Sequence, residues 1–301
     1  MRLFSGSLPR IVLLALVFAT AAPAQDVTPP RTPMSAEAEA ARAEYLRGHY
    51  DLALTLLRPL AEAGDPAAQN IMGAAHDDAN GVPRDPLAAR RWFELASAQG
   101  YGPALMNLGR MLRDGRPGID RDPVRARVLF EQSIAAGWPP AHEALGWMMR
   151  TGTGGPVDLP GALAQFEAGR AAGEARASHG LAVLYREGLG VAIDLEQARL
   201  FEREAADSGL AEAMNDYAYM LENGSGGPRN EVDAHDWYRR SLAAGYAEAA
   251  FNLAYALTNL DTSTEVLVEA RDLCTQGMAG VDAEIAHGWK EYCNWVHESL
   301  R

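Results

Sequence analysis

Two histidine–aspartate clusters, two glycine clusters, one cysteine pair and a register of arginines are where this chain could do chemistry. His76-Asp77-Asp78 and His235-Asp236 carry the residue types of a metal site or an acid–base pair. Both stand on helical faces, at different phases of a repeat, so they read as solvated surface or core packing. Gly152-Thr153-Gly154-Gly155 and Gly224-Ser225-Gly226-Gly227 look like phosphate-cradling turns, but neither is followed by the lysine such a loop needs. No Gly-x-Ser-x-Gly elbow and no His-Glu-x-x-His helix occurs. No catalytic residue, cofactor or metal is therefore predicted.

Cys274 and Cys293 are the two cysteines of the chain. In an oxidising compartment they would pair and close a short loop, worth about 3 kcal/mol on the chain-entropy account. Two buried thiols acting as small hydrophobes are the alternative. A metal site using Cys274, Cys293 and His297, one helical turn beyond Cys293, lacks a fourth ligand.

The compartment is read from the first residues. Arg2 and Arg10 precede the apolar run Ile11–Ala19, and Ala22-Pro23-Ala24 has the small-x-small form of a cleavage site. Residues 1–24 are expected to be a secretory signal, cut after Ala24, and residues 25–34 a proline-rich linker. No second apolar run is long enough to span a bilayer, so no membrane span is expected after cleavage. The net charge of −13 opposes binding to phosphate backbones, which argues against a nucleic-acid partner.

The elements that position all of this come from a period. Gly64, Gly100, Gly137, Gly173, Gly209 and Gly245 are separated by 36, 37, 36, 36 and 36 residues. Four residues after each glycine stands an alanine: Ala68, Ala104, Ala141, Ala177, Ala213 and Ala249. A large residue follows four further on and a small one immediately after it, as in Leu108-Gly109 and Leu145-Gly146, letting a second helix approach closely. A loop glycine then precedes an N-cap type by four residues, at Asp85, Asp122, Asp158, Asp194 and Asn230. The second helix opens with Ala89, Ala126, Ala162, Ala198 or Ala234. Bulky residues follow one turn on: Trp92-Phe93, Phe130, Phe166, Phe201 and Trp237-Tyr238. Eleven residues after each of those alanines the glycine suits a left-handed cap. The spacing predicts an all-α, α/α superhelical solenoid of about seven helix pairs over 35–281, with a capping helix over 282–301.

Ala177–Gly190, with Leu181, Tyr185 and Gly188, and Gly81–Asp85 through Trp92-Phe93 resemble the Sel-one-like repeat (SLR) family, relatives of the tetratricopeptide repeats. His76 departs from the family's tyrosine, and the last unit degenerates beyond Asn259. With the expected signal, the resemblance implies a secreted or periplasmic scaffold or adaptor that binds a protein in the cell envelope, and the register of arginines makes an acidic peptide the expected ligand. An envelope hydrolase of the cysteine-rich type, acting on β-lactams or peptidoglycan, is an alternative. Those relatives carry a cysteine pair in every repeat, where this chain has one in total. A secreted effector binding a host protein is a second alternative.

In related solenoids the concave groove is lined by the face opposite the packing positions. Offsets +6 and +9 from the opening alanine point there. Among the residues at those offsets, Arg110, Arg113, Trp147, Arg150, Arg186, Tyr219 and Tyr255 are the candidate binding residues, because arginine and aromatic side chains anchor interfaces. Pairing of the arginines with local acids such as Asp114 and Glu187 is the competing reading.

Overall fold

The computed structural model describes residues 35–301; the expected signal (1–24) and the linker (25–34) lie outside the described residues. Fifteen helices and no strand occur among the described residues. They form seven antiparallel pairs: α1 (Ala36–Leu46) with α2 (Tyr50–Glu62), α3 (Pro66–Asp78) with α4 (Pro86–Ala98), and α5 (Gly102–Asp114) with α6 (Pro123–Ala135). Next come α7 (Pro140–Thr151) with α8 (Leu159–Ala171), α9 (Ala175–Glu187) with α10 (Leu195–Asp207), and α11 (Ala211–Asn223) with α12 (Glu231–Ala243). The last pair, α13 (Glu248–Leu260) with α14 (Thr264–Gly280), is followed by a single helix, α15 (Ala283–Ser299). Substantial packing runs between helices adjacent in sequence, the nearest-neighbour arrangement of a solenoid.

The caps act where the sequence places them. The side chains of Asp85, Asp122, Asp158, Asp194 and Asn230 each accept a hydrogen bond from the amide three residues on, at 2.8–3.2 Å. At the other end, Gly173 adopts φ +85°, and nothing lies within 4 Å of where its Cβ would stand. Its identity is required by backbone conformation alone.

The core is a stack of small-against-aromatic contacts. The six opening alanines are all fully buried. Gly73, Gly109 and Gly146 lie beneath the rings of Phe93, Phe130 and Phe166; a Cβ there would approach ring carbons to 2.6, 2.8 and 2.7 Å. Four residues after the opening alanine of each second helix, Leu57, Phe93, Phe130, Phe166, Glu202 and Tyr238 form one buried column. The sequence reading put Phe201 in that column. Phe201 is one residue out of phase and packs on Tyr185 instead, with ring centroids 5.6 Å apart. The column position in α10 is the carboxylate of Glu202.

At the C-terminal end Cys274 and Cys293 form a disulfide joining α14 to α15, with Cα atoms 5.7 Å apart. The buried-thiol and metal readings of this pair are thereby set aside. His297 donates from Nδ1 to the Cys293 carbonyl at 2.7 Å. Trp289 of α15 stacks on Phe251 at 5.2 Å, so the end of the array is covered by aromatic as well as covalent contact.

Candidate functional site

The first helices of the pairs carry a concave face, and three regions along it differ in chemistry. Toward the N-terminal end a cavity of about 520 Å³ is lined by Arg42, Asn70, Tyr101, Asn107, Arg110 and Trp138. Asn107 donates to the Asn70 side-chain oxygen at 2.9 Å, tying α5 to α3. Arg42 and Arg110 are exposed, and neither has an ion-pair partner within 4 Å among the described residues. Burial pushes the Tyr101 phenol up, against the pull of the Arg42 charge. This phenol is a neutral hydrogen-bonding group in the cavity that Arg42 and Arg110 line.

The middle region holds the three arginines in register, and each is already engaged. Arg113 grips Asp114 with Nε at 2.6 Å and Nη2 at 3.1 Å. That contact holds the Asp114 carboxyl below its ordinary range, against the opposing effect of burial. Arg150 lies 3.4 Å from Glu187 and packs over the Trp147 ring at 4.7 Å. Arg186 lies 3.4 Å from Asp216, 3.9 Å from Glu202 and 4.0 Å from Glu187. The competing reading, local pairing with Asp114 and Glu187, describes their geometry. Trp147 itself is half-buried and meets Phe166 edge-on at 5.2 Å, so much of its area is spent on the core.

Two other positions correct the offset rule. Val183 (+6) and Thr258 (+9) are buried. An offset gives a direction from one helix axis, whereas exposure depends on neighbours. On a concave face adjacent helices converge and cover short side chains. Thr258 is covered by α15, whose Tyr292 hydroxyl lies 3.0 Å from the Thr258 hydroxyl.

Beneath Arg186 sits a buried polar cluster. His179 Nδ1 donates to the Glu202 carboxylate at 3.0 and 3.1 Å, and His179 Nε2 lies 3.8 Å from Glu212. Burial pulls the His179 pKa down, but its hydrogen bond and attraction to Glu202, with Asp216 and Glu212 behind, raise it overall. Burial likewise raises Glu202, against the pull of His179. Both directions describe a pair that holds its shared proton tightly.

The third region is a cavity of about 700 Å³ lined by Tyr219, Glu222, His235, Asn252, Tyr255 and Trp289, among others. Tyr219 and Tyr255 are 57% and 49% exposed, so both offer aromatic surface to solvent. Asn252 donates to Asn215 at 2.8 Å, repeating the Asn107–Asn70 bridge farther along the array. The His235 Nε2 is buried without a hydrogen-bond partner among the described residues, and burial together with Arg239 holds its pKa down. The other histidine cluster is divided: Asp77 accepts from Arg116 at 3.1 Å, while His76 Nδ1 is buried and unpartnered.

The repeat arithmetic and this geometry meet in the comparison with known families. Sel1 repeats match at residues 66–101, 102–138, 139–166, 175–210, 211–246 and 247–271. The chain belongs to the Sel1 repeat family. A Sel1 repeat protein of Oxalobacter formigenes is 26% identical, with a TM-score of 0.68 over 80% of this chain and 96% of that one. At the level of fold alone, a protective antigen of uropathogenic Escherichia coli with an SLR fold is similar. It is 24% identical, with a TM-score of 0.58 over 88% of this chain and 60% of its own. An immunity protein of Pseudomonas aeruginosa is 20% identical, with a TM-score of 0.50 over 77% and 81%. No curated protein matches the chain. Sel1 repeat proteins mediate protein–protein interaction, and the scaffold is typically non-catalytic.

Sequence reasoning missed the polar lining around Arg110, among it Arg42, Asn70, Asn107 and Trp138, and the buried cluster of His179, Glu202 and Asp216. Arg42 belongs to α1, where the repeat is least complete, and only packing brings it beside Arg110. Glu202 had a signal: strict alignment four residues after the opening alanine shows a carboxylate in an otherwise apolar column. No helix among the described residues is long and apolar enough to cross a membrane.

Proposed function

We propose that this chain is an exported adaptor whose concave groove binds an acidic peptide segment of another envelope protein. The observation that carries this reading is the cavity holding Arg42 and Arg110, two guanidinium ions with no ion-pair partner within 4 Å among the described residues, in a chain of net charge −13. Guanidinium forks match carboxylates in pairs, and unspent ones are the natural anchors for an acidic ligand. Asn70 and Asn107 offer both donor and acceptor, which suits the alternating groups of a peptide backbone. Trp138 adds a half-buried ring beside them. The internally paired Arg113, Arg150 and Arg186 shape the groove wall and are available only to a ligand that displaces their acids. Export rests on residues 1–24 and on the Cys274–Cys293 disulfide, which persists in an oxidising compartment.

An array of Asp/Glu-rich peptides, each beside its Asn/Gln counterpart, tests the groove. The chain is expected to retain the acidic members. Arg42→Glu with Arg110→Glu is expected to lose at least ~10-fold in affinity, on the scale of a lost interface anchor. Retention indifferent to the acids, or unchanged by the double reversal, rejects the groove assignment. Recovery of the chain from the cytoplasmic fraction with residues 1–24 intact rejects the envelope.

A further inference from the structure

Glu202 occupies a position where the other pairs place Leu57, Phe93, Phe130, Phe166 and Tyr238, and it is 0% exposed. Giving up an apolar side chain there and burying a carboxylate both oppose folding. The carboxylate faces His179 from α9 and lies beside Asp216 from α11. One ligand atom from each of His179, Glu202 and Asp216 stands within 4.8 Å of the others. We propose that these three side chains bind a first-row divalent metal ion of the zinc type, at the junction of the α9–α10 and α11–α12 repeats.

The donor set decides the class of ion. One imidazole nitrogen with two carboxylate oxygens suits zinc and its neighbours, whereas magnesium and calcium take oxygen ligands. Zinc–nitrogen and zinc–oxygen bonds of about 2.0–2.2 Å place neighbouring ligand atoms about 3.3–3.6 Å apart, so the widest pair of this cluster draws together while His179 and Glu202 part slightly to admit the ion. His179 Nδ1 already stands 3.0 Å from Glu202. The ion takes the place of the proton these two groups share, and that proton leaves to solvent. The remaining ring N–H then points at Glu212, 3.8 Å away, as an outer carboxylate that orients the imidazole.

Arg186 is the internal competitor. Its guanidinium stands between Asp216 and Glu202 at 3.4 and 3.9 Å, looser than the 2.8 Å pair of Arg170 with Glu204. Its side chain is 36% exposed and has Glu187 as a further partner, so a doubly charged ion can displace it outward. This makes the two explanations of the cluster separable. In a purely structural ion network, removing Arg186 only loosens the site. In a metal site, removing Arg186 frees two ligands and tightens binding.

Calorimetric titration of Zn²⁺ into the chelator-treated chain, with the visible spectrum of the Co²⁺ form as second readout, tests this. One ion per chain is expected, with binding weakened at least ~10-fold in Glu202→Gln and His179→Ala. Arg186→Gln is expected to bind more tightly than the parent chain. Glu202→Gln is nearly isosteric, so it preserves the fold even if His179→Ala does not, and circular dichroism checks this. Absence of stoichiometric binding, binding that survives Glu202→Gln, or weaker binding in Arg186→Gln would each overturn the site.

Discussion

Gly109 has no room for a side chain, because an added Cβ would stand 2.8 Å from the Phe130 ring. Gly109→Ala therefore overpacks the core and should cost about 1–3 kcal/mol, read from urea unfolding. The same measurement at Gly173, where the space is open, would isolate backbone strain from crowding. His179 and Glu202 set a different residue-scale expectation. Both pKa values are raised in the folded chain, so folding takes up protons around this pair. For His179 the stabilisation is complete below its ordinary value of 6.5 and is lost as pH rises through the folded value. With chelator present, the urea midpoint of the parent chain should fall relative to that of Glu202→Gln as pH rises above the ordinary histidine value of 6.5. A difference that stays constant as pH rises through and beyond 6.5 would remove the proton-holding pair. Small-against-large positions were legible in the sequence because they repeat. Glu202 was harder to see because Phe201 beside it satisfied a loosely stated aromatic rule.

Helix ends were legible for a simpler reason. A cap is a contact between residues three apart, so Asp194 and the amide of Gln197 need no knowledge of the rest of the chain. The pairing of α14 with α15 is also local, since the bonded cysteines are 19 residues apart. Reduction, or Cys274→Ser with Cys293→Ser, should cost the terminal unit about 3 kcal/mol. Nearest-neighbour packing confines the effect, so hydrogen exchange should accelerate in α15 while α3 to α8 keep their protection. Uniform acceleration along the array would contradict that confinement. Trp289 on Phe251 and Tyr292 on Thr258 hold α15 in place after reduction, so loosening rather than detachment is expected.

Along the described array the groove changes character, from Arg42 and Arg110, which have no ion-pair partner within 4 Å among the described residues, through the paired middle to exposed Tyr219 and Tyr255. That gradient belongs to no single repeat. A 36-residue period states which face of each helix packs, and hence the solenoid, the caps and the glycine-lined core. All of these depend on contacts within one repeat or between adjacent repeats, which recur and so can be read from the chain itself. The arginines at offset +9 were visible as a register, but their pairing with Asp114, Glu187 and Asp216 depends on rotamers and on neighbouring helices. Arg42 and Arg110 come to line one cavity, and His179 meets Glu202 and Asp216, only once the helices are stacked. The period by itself determined the solenoid; tertiary structure alone decided which charges remain free, because pairing depends on distance in space and a repeat fixes only distance along the chain.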